Sequence, residues 1–129
     1  VSSPIYLSKG VDGAKGNFAN LVIGGTTLLS VEDVVVNLKS IEQANGRQPG
    51  YQSLDLDLLL YDDLILDTDT LKLPPDDIER FVFVLKPLAE IVPTLIHPVT
   101  RLTIKQMWVQ SGMDASSLTK IDLETLEPH

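Results

Sequence analysis

The most regular pattern in the chain lies in residues 53–73, where leucine and aspartate alternate. The stretch reads SLDLDLLLYDDLILDTDTLKL. Alternation with a period of two is typical of a half-buried β-strand, with leucines on one face and carboxylates on the other. We therefore predict a β-hairpin whose loop is Tyr61-Asp62-Asp63, so that Leu60 lies opposite Leu64 and the apolar faces match.

This hairpin register also has an electrostatic cost. It places Asp57 opposite Asp67. It also places Asp55 opposite Asp69, and like charges that face each other directly are destabilising. A divalent cation, a basic protein surface or solvation would relieve the crowding, although the spacing is not that of an EF-hand loop. We therefore expect no cofactor unless Asp55, Asp57, Asp67 and Asp69 together bind a divalent cation, which makes these four carboxylates a candidate cation site. If the two strands are not neighbours, this four-carboxylate site is lost.

Two segments have helical spacing. Ser30 is a good N-cap, acidic residues follow it, and apolar residues then recur at helical intervals, so we predict a helix over residues 31–44. Pro75 and the acids after it predict a second helix over residues 75–86. Pro87 should end this helix, because proline inside a helix clashes with the preceding turn. β-branched residues in both segments also suit strands, so a strand interpretation stays open for each.

The remaining pattern suggests short strands and a loop. Strands are predicted at residues 4–8, 18–23, 99–109 and 120–126, and a glycine-rich loop at residues 10–16. Within residues 99–109, Arg101 and Lys105 alternate with apolar residues, which predicts a strand with a cationic face. These elements predict a single α+β domain spanning residues 1–129, in which an antiparallel sheet carries one or two helices. The alternative is an all-β sandwich or jelly roll, in which both helices become strands.

An uninterrupted apolar run occupies residues 81–85, more than one face of an amphipathic element can bury. Its remaining side chains should face a second layer or a partner chain. Trp108 has the large apolar area typical of an interface anchor, and the cationic strand is a candidate partner for the acidic face. We expect a homo-oligomer or a larger protein assembly. The predicted interface consists of Phe81, Phe83, Leu85, Arg101, Lys105 and Trp108.

Charge and composition exclude several classes of partner. Ten Lys and Arg residues against eighteen Asp and Glu residues give a net charge of −8. Because the basic residues are scattered and the acidic excess repels phosphate backbones, nucleic-acid binding is not expected. No stretch approaches the roughly 20 apolar residues that cross a bilayer, and no signal peptide is visible, so we expect no membrane insertion and leave localisation open. The chain has no cysteine, which excludes disulfides and thiolate chemistry.

Two local motifs bear on catalysis. Asp67-Thr68-Asp69 follows an apolar stretch and resembles the aspartate-x-aspartate signature of haloacid-dehalogenase-like phosphatases. Leu71 stands where that family has threonine or valine, and too little sequence follows to build its parallel sheet, so no residue role is carried over. The two histidines form neither a zinc site nor a triad, and His97 is predicted to be a partly buried structural side chain.

The absence of a recognisable catalytic grouping favours a non-catalytic structural or interaction protein. Such a protein would assemble through the acidic face and the apolar run, for example as a subunit of a virion or another large assembly. One alternative is an enzyme, a metal-dependent hydrolase that acts through Asp67 and Asp69. The other is a carrier that holds a small apolar ligand or lipid in a cavity lined by aliphatic side chains.

Overall fold

Strands and helices alternate irregularly along the chain, and the computed structural model describes residues 2–9, 17–45 and 55–121. The strands are β1 Ile5–Lys9, β2 Asn17–Asn20, β3 Leu66–Asp67, β4 Lys72–Leu73 and β5 Thr119–Ile121. The helices are α1 Val31–Ala44, α2 Asp77–Arg80, α3 Val82–Ile91 and α4 Ile104–Ser111, and a 3₁₀ turn follows at Ala115–Ser117. Antiparallel sheets and helices together make this an α+β fold, which confirms the predicted class. The all-β alternative is wrong.

The chain divides into two compact units. The first, which we call the sheet unit, comprises residues 1–25 and 74–129. The second, which we call the hairpin unit, comprises residues 26–73. The expectation of one domain over residues 1–129 stays a prediction.

The sheet unit contains an antiparallel sheet with strand order β2-β1-β5. The central strand is β1, where Tyr6 lies opposite Asn20 of β2 and opposite Lys120 of β5. Helices α2, α3 and α4 supply most of the buried apolar side chains of this unit. The core residues are Tyr6, Ile78, Leu85, Leu88, Ile104 and Met107.

Three of the predicted strands overlap the strands of this sheet. Residues 4–8 correspond to β1, residues 18–23 begin in β2, and residues 120–126 begin in β5. Residues 122–126 and the predicted loop at residues 10–16 lie outside the described residues.

The second predicted helix, over residues 75–86, is wrong in its boundaries. The segment forms two helices that are separated at Phe81, whose backbone is extended with φ −119° and ψ 125°. Pro87 lies inside α3 and does not end it, since α3 continues to Ile91. A proline removes one backbone donor from the helix. Leu85, Pro87 and Leu88 are buried, and the apolar area removed from water there offsets the lost hydrogen bond.

The predicted strand over residues 99–109 is also wrong, because this part of the chain turns and then forms α4. Arg101 has a left-handed backbone with φ 65°. The hydroxyl of Thr103 accepts from the backbone N–H of Gln106, whose side chain accepts from the N–H of Thr103 in return. This capping box starts α4, and Gly112 ends it in the left-handed conformation.

In the hairpin unit, α1 has the predicted boundaries. Ser30 has an extended backbone, and its hydroxyl accepts from the backbone N–H of Asp33 at 3.2 Å. Val31 is buried, while Val34 and Leu38 are half-buried. The N-cap and the apolar stripe therefore form the helix, despite the β-branched valines.

The predicted hairpin register is wrong. Residues 55–61 form no strand, and the observed hairpin comes later, where β3 pairs with β4. In that hairpin Asp67 lies opposite Lys72 and not opposite Asp57. Three hydrogen bonds of 2.9 to 3.0 Å close the turn. The backbone N–H and the hydroxyl of Thr68 donate to the carbonyl of Leu71, and that hydroxyl accepts from the N–H of Leu71. The observed register replaces a like-charge pair by an opposite-charge pair, which is the physical reason for the correction.

Candidate functional site

The acidic segment at residues 55–61 has no strand partner among the described residues, but its first four residues, 55–58, alternate in exposure. Asp55 and Asp57 are exposed, and Leu56 and Leu58 are half-buried. Successive side chains of an extended backbone point to opposite sides, so Asp55 and Asp57 lie on one side and the leucines on the other. The pattern thus presents two carboxylates together on the surface of the hairpin unit.

Two hydrogen bonds attach this segment to the α1 region. The backbone N–H of Leu56 donates to Oε1 of Glu42 at 2.6 Å. The hydroxyl of Tyr61 donates to the backbone carbonyl of Leu29, just before α1 begins. Since the earlier residue of the segment meets the end of α1 and the later one meets its start, the segment runs antiparallel to the helix.

The lengths of the two elements agree with this arrangement. An extended chain covers about 17 Å between Leu56 and Tyr61. The helix rises about 18 Å between Ser30 and Glu42. The segment is therefore long enough to run along α1 between its two hydrogen-bonded ends.

Glu42 is the contact of the acidic segment that sequence reasoning missed. Its side chain is 14% exposed, and its Oε2 lies 3.8 Å from Nζ of Lys39. An acid in the last turn of a helix faces the negative end of the macrodipole, which is unfavourable unless the carboxylate has another role. That unfavourable position is the signal that could have singled out Glu42 within the predicted helix.

The donor set of Asp55 and Asp57 fits Mg²⁺. Within residues 2–9, 17–45 and 55–121, no three His, Cys, Asp or Glu side chains gather as a metal site. The four-carboxylate face is therefore not formed, and Asp67 is instead in register with Lys72. Mg²⁺ is usually held by one or two carboxylates, with water and substrate phosphates as its other ligands. Two exposed carboxylates on one side of a fixed segment meet that requirement.

The aromatic part of the predicted interface lies in the sheet unit. Phe81 and Phe83 are half-buried, and their rings stack with centroids 4.9 Å apart and an interplanar angle of 19°. The guanidinium carbon of Arg80 lies 5.1 Å from the centroid of Phe81. Leu85 is 1% exposed and belongs to the core, so it offers no surface to a partner.

The remaining predicted interface residues are spread over a turn and a helix. Arg101 is exposed in the turn before α4, and Lys105 is exposed in the first turn of α4. The cationic strand face is therefore not formed. Trp108 is half-buried on the same helix, and Nζ of Lys86 lies 5.2 Å from the centroid of its ring. The expected homo-oligomer or larger assembly stays a prediction.

A polar contact links β1 to α3 in the sheet unit. The hydroxyl of Tyr6 donates to Oε1 of Glu90, and the same oxygen lies 3.5 Å from Nζ of Lys86. Burial raises the pKa of Tyr6 to about 12, and the hydrogen bond to Glu90 and its charge act in the same direction. Tyr6 therefore stays protonated at neutral pH and serves as a fixed donor in the core.

His97 is a buried histidine with one unsatisfied nitrogen. It is 1% exposed, and its Nδ1 accepts from the backbone N–H groups of Val99 and Thr100, each at 3.2 Å. The proton of the neutral ring is therefore on Nε2, which has no hydrogen-bond partner in the described part of the chain. Burial lowers the pKa of His97, and the charge of Glu79 opposes this shift in part. His97 is therefore fully and not partly buried, and its structural role stays a prediction.

An α+β fold with two exposed carboxylates that could hold Mg²⁺ is compatible with the class of enzymes that act on phosphate groups. The model of the family 7,8-dihydro-6-hydroxymethylpterin-pyrophosphokinase (HPPK) matches residues 1–93. The match covers more than half of the 129 residues and includes both Asp55 and Asp57. The chain belongs to this family.

Individual relatives agree with the family. The chain is 36% identical over 96 residues to the 2-amino-4-hydroxy-6-hydroxymethyldihydropteridine pyrophosphokinase of Aquifex aeolicus, covering 71% of this chain and 60% of that protein. It is 37% identical over 101 residues to the protein of the same name from Pseudomonas aeruginosa, covering 74% and 62%. It is 33% identical over 110 residues to a folic acid synthesis protein of Dictyostelium discoideum, covering 82% and 16%. The chain thus spans about 60% of the length of these bacterial relatives.

These relatives correct the functional prediction made from the sequence. A non-catalytic structural or assembly protein is wrong, since the family and its relatives are named as enzymes of pterin and folic acid synthesis. The alternatives of a metal-dependent hydrolase and of an apolar-ligand carrier belong to the same contradicted prediction, since the family and its bacterial relatives are named as pyrophosphokinases. No helix within the described residues is long and apolar enough to cross a membrane.

Proposed function

We propose that this protein is a pterin pyrophosphokinase that uses Mg²⁺. It transfers a pyrophosphoryl group from a nucleoside triphosphate to the hydroxymethyl oxygen of a 6-hydroxymethyl-dihydropterin. The observation that carries the proposal is the family match over residues 1–93, within which the structure has a paired carboxylate segment suited to a metal–triphosphate. The substrates are taken from the names of the relatives.

The transfer makes one bond and breaks one. The hydroxymethyl oxygen attacks the β-phosphorus of the nucleotide, and the bond from that phosphorus to the α,β-bridging oxygen breaks. Nucleoside monophosphate leaves with the bridging oxygen and its electron pair, and the hydroxyl proton passes to solvent. Mg²⁺, when bound, neutralises charge on the phosphate oxygens. Asp55 and Asp57 would hold it, and the hydrogen bonds from Leu56 and Tyr61 to the α1 region attach the segment that carries these two carboxylates.

The nucleotide product tests this proposal. Incubation of the protein with ATP, Mg²⁺ and 6-hydroxymethyl-7,8-dihydropterin should release AMP in step with formation of the pterin pyrophosphate. Separation of the nucleotides by ion-exchange chromatography measures the two products. ADP as the main product, or no turnover of this acceptor, would contradict the assignment.

Substitution of the carboxylates tests which pair holds the metal. Asp57→Asn should lower kcat/KM at least about a hundredfold, since the loss of a metal ligand removes several kcal/mol of transition-state stabilisation. Asp69→Asn, in the observed hairpin, is the matched control, and its kcat/KM should stay within about twofold of wild type. Equal losses in both variants would rule out Asp55 and Asp57 as the distinct metal ligands.

A further inference from the structure

We propose that Glu42 is a positioning residue for the cation site, acting through the backbone between Asp55 and Asp57. This inference rests on the proposed function, because it assumes that these two aspartates bind a metal–triphosphate. It adds a residue from a different element, near the end of α1, whose side chain contacts the backbone of the acidic segment at Leu56.

The hydrogen bond to Leu56 carries the inference. Oε1 of Glu42 accepts from the backbone N–H of Leu56 at 2.6 Å. An ionised acceptor makes the bond short and strong. Leu56 is the residue between the two aspartates, so fixing its peptide group limits rotation of the backbone that carries both carboxylates. A rotation there would turn Asp55 and Asp57 away from a common side.

The setting of Glu42 favours a role for its acceptor oxygen. The side chain is 14% exposed, and the Lys39 ammonium lies 3.8 Å from its Oε2. Solvent and Lys39 therefore stabilise Oε2, while Oε1 accepts the hydrogen bond from the backbone N–H of Leu56. Lys39 is 67% exposed, and an ion pair with an exposed partner contributes little to stability, so the acceptor function is the stronger reason for a largely enclosed acid at a helix end.

Two substitutions separate the geometric effect from the effect of charge. Glu42→Gln keeps an acceptor for Leu56 and removes the charge, whereas Glu42→Ala removes both. Positioning predicts that Mn²⁺ affinity in the presence of a nucleotide, measured by electron paramagnetic resonance, falls about tenfold or more in Glu42→Ala, as for other supporting residues of metal sites. The Mn²⁺ affinity of Glu42→Gln should stay within about threefold of wild type. The affinity of Lys39→Gln, the matched control, should stay within about twofold.

Amide hydrogen exchange gives a readout that does not depend on metal or turnover. The amide of Leu56 should be protected in wild type and in Glu42→Gln, and should exchange faster in Glu42→Ala. A Leu56 amide that exchanges equally fast in wild type and Glu42→Ala overturns the inference. Circular dichroism checks that α1 is retained, and the wild-type and Glu42→Gln measurements decide the question if Glu42→Ala does not fold.

The comparison with Asp57→Asn distinguishes failure of this inference from failure of the proposed function. If Asp57→Asn abolishes Mn²⁺ binding and Glu42→Ala leaves it unchanged, Glu42 has no positioning role and the metal assignment stands. If Glu42→Gln loses as much affinity as Glu42→Ala, the effect is one of charge and the inference is overturned. If Asp57→Asn binds Mn²⁺ as wild type does, both proposals fail.

Discussion

Burial shifts the pKa of Tyr6 and of His97, and His97 is the clearer case. Its neutral ring accepts two backbone hydrogen bonds, and burial lowers its pKa. The unfolded chain, where histidine titrates at about 6.5, therefore binds a proton more readily than the folded one. It follows that the free energy of unfolding is complete above about pH 6.5 and falls as the pH decreases through that value toward the lower folded pKa.

We expect urea unfolding between about pH 7.5 and pH 5 to show this loss. The slope should approach, but not exceed, about 1.4 kcal/mol per pH unit, which is the limit for one proton. His97→Asn keeps an acceptor for Val99 and Thr100 but does not titrate, so the slope should become flatter. His129→Gln, the control at the other histidine, should keep the wild-type slope. An unchanged slope in His97→Asn would show that His97 is not the titrating group.

Residue roles could be predicted where the pattern is local, and not where it depends on distant contacts. The exposure of Asp55 and Asp57 follows from alternation along a few neighbouring residues, and the structure confirms it. Glu42 lies fourteen positions from Leu56, and no periodicity in the sequence marks that hydrogen bond. Its unfavourable place in the last turn of α1 is a weak signal that becomes meaningful once the partner is known.

At the level of elements, side-chain caps start α1 and α4, whereas α2 and α3 begin without a side-chain cap hydrogen bond. The side chain of Thr103 accepts from the backbone of Gln106 at 3.1 Å, and the reverse contact measures 2.8 Å. Thr103→Ala should lower the free energy of unfolding by about 1 kcal/mol, because capping threonines contribute about that much. Thr103→Ser keeps the hydroxyl, so its free energy of unfolding should stay close to that of wild type. Thermal or urea unfolding measures both, and equal stabilities of Thr103→Ala and wild type would contradict the role of the cap.

The elements that the sequence predicted well are those with complete local signals. Ser30 and the apolar stripe after it define α1 from its first turn. In contrast, the alternation at residues 99–109 resembles a strand until the Thr103–Gln106 cap is recognised. Pro87 was expected to end a helix, but burial in the core outweighs the lost hydrogen bond. Tertiary packing of this kind is not visible in a local pattern.

At the level of the whole molecule, the fold class could be predicted and the function could not. Mixed helical and alternating patterns are enough to indicate α+β. The proposed site has few protein ligands, because a metal–triphosphate brings its own phosphate oxygens, and such a site leaves no dense motif in the sequence. The absence of a complete catalytic grouping therefore favoured a non-enzyme, and the family match over residues 1–93 corrects that prediction.

The most direct test of the central claim is to locate the bound cation on this chain. Mn²⁺ together with α,β-methylene-ATP, whose α,β bond is not cleaved, should broaden amide resonances in an NMR spectrum of the protein by paramagnetic relaxation. The account predicts broadening that is strongest at Asp55, Leu56 and Asp57 and is lost in Asp57→Asn. Broadening centred on the β3–β4 hairpin around Asp67 and Asp69, or unchanged in Asp57→Asn, would contradict it.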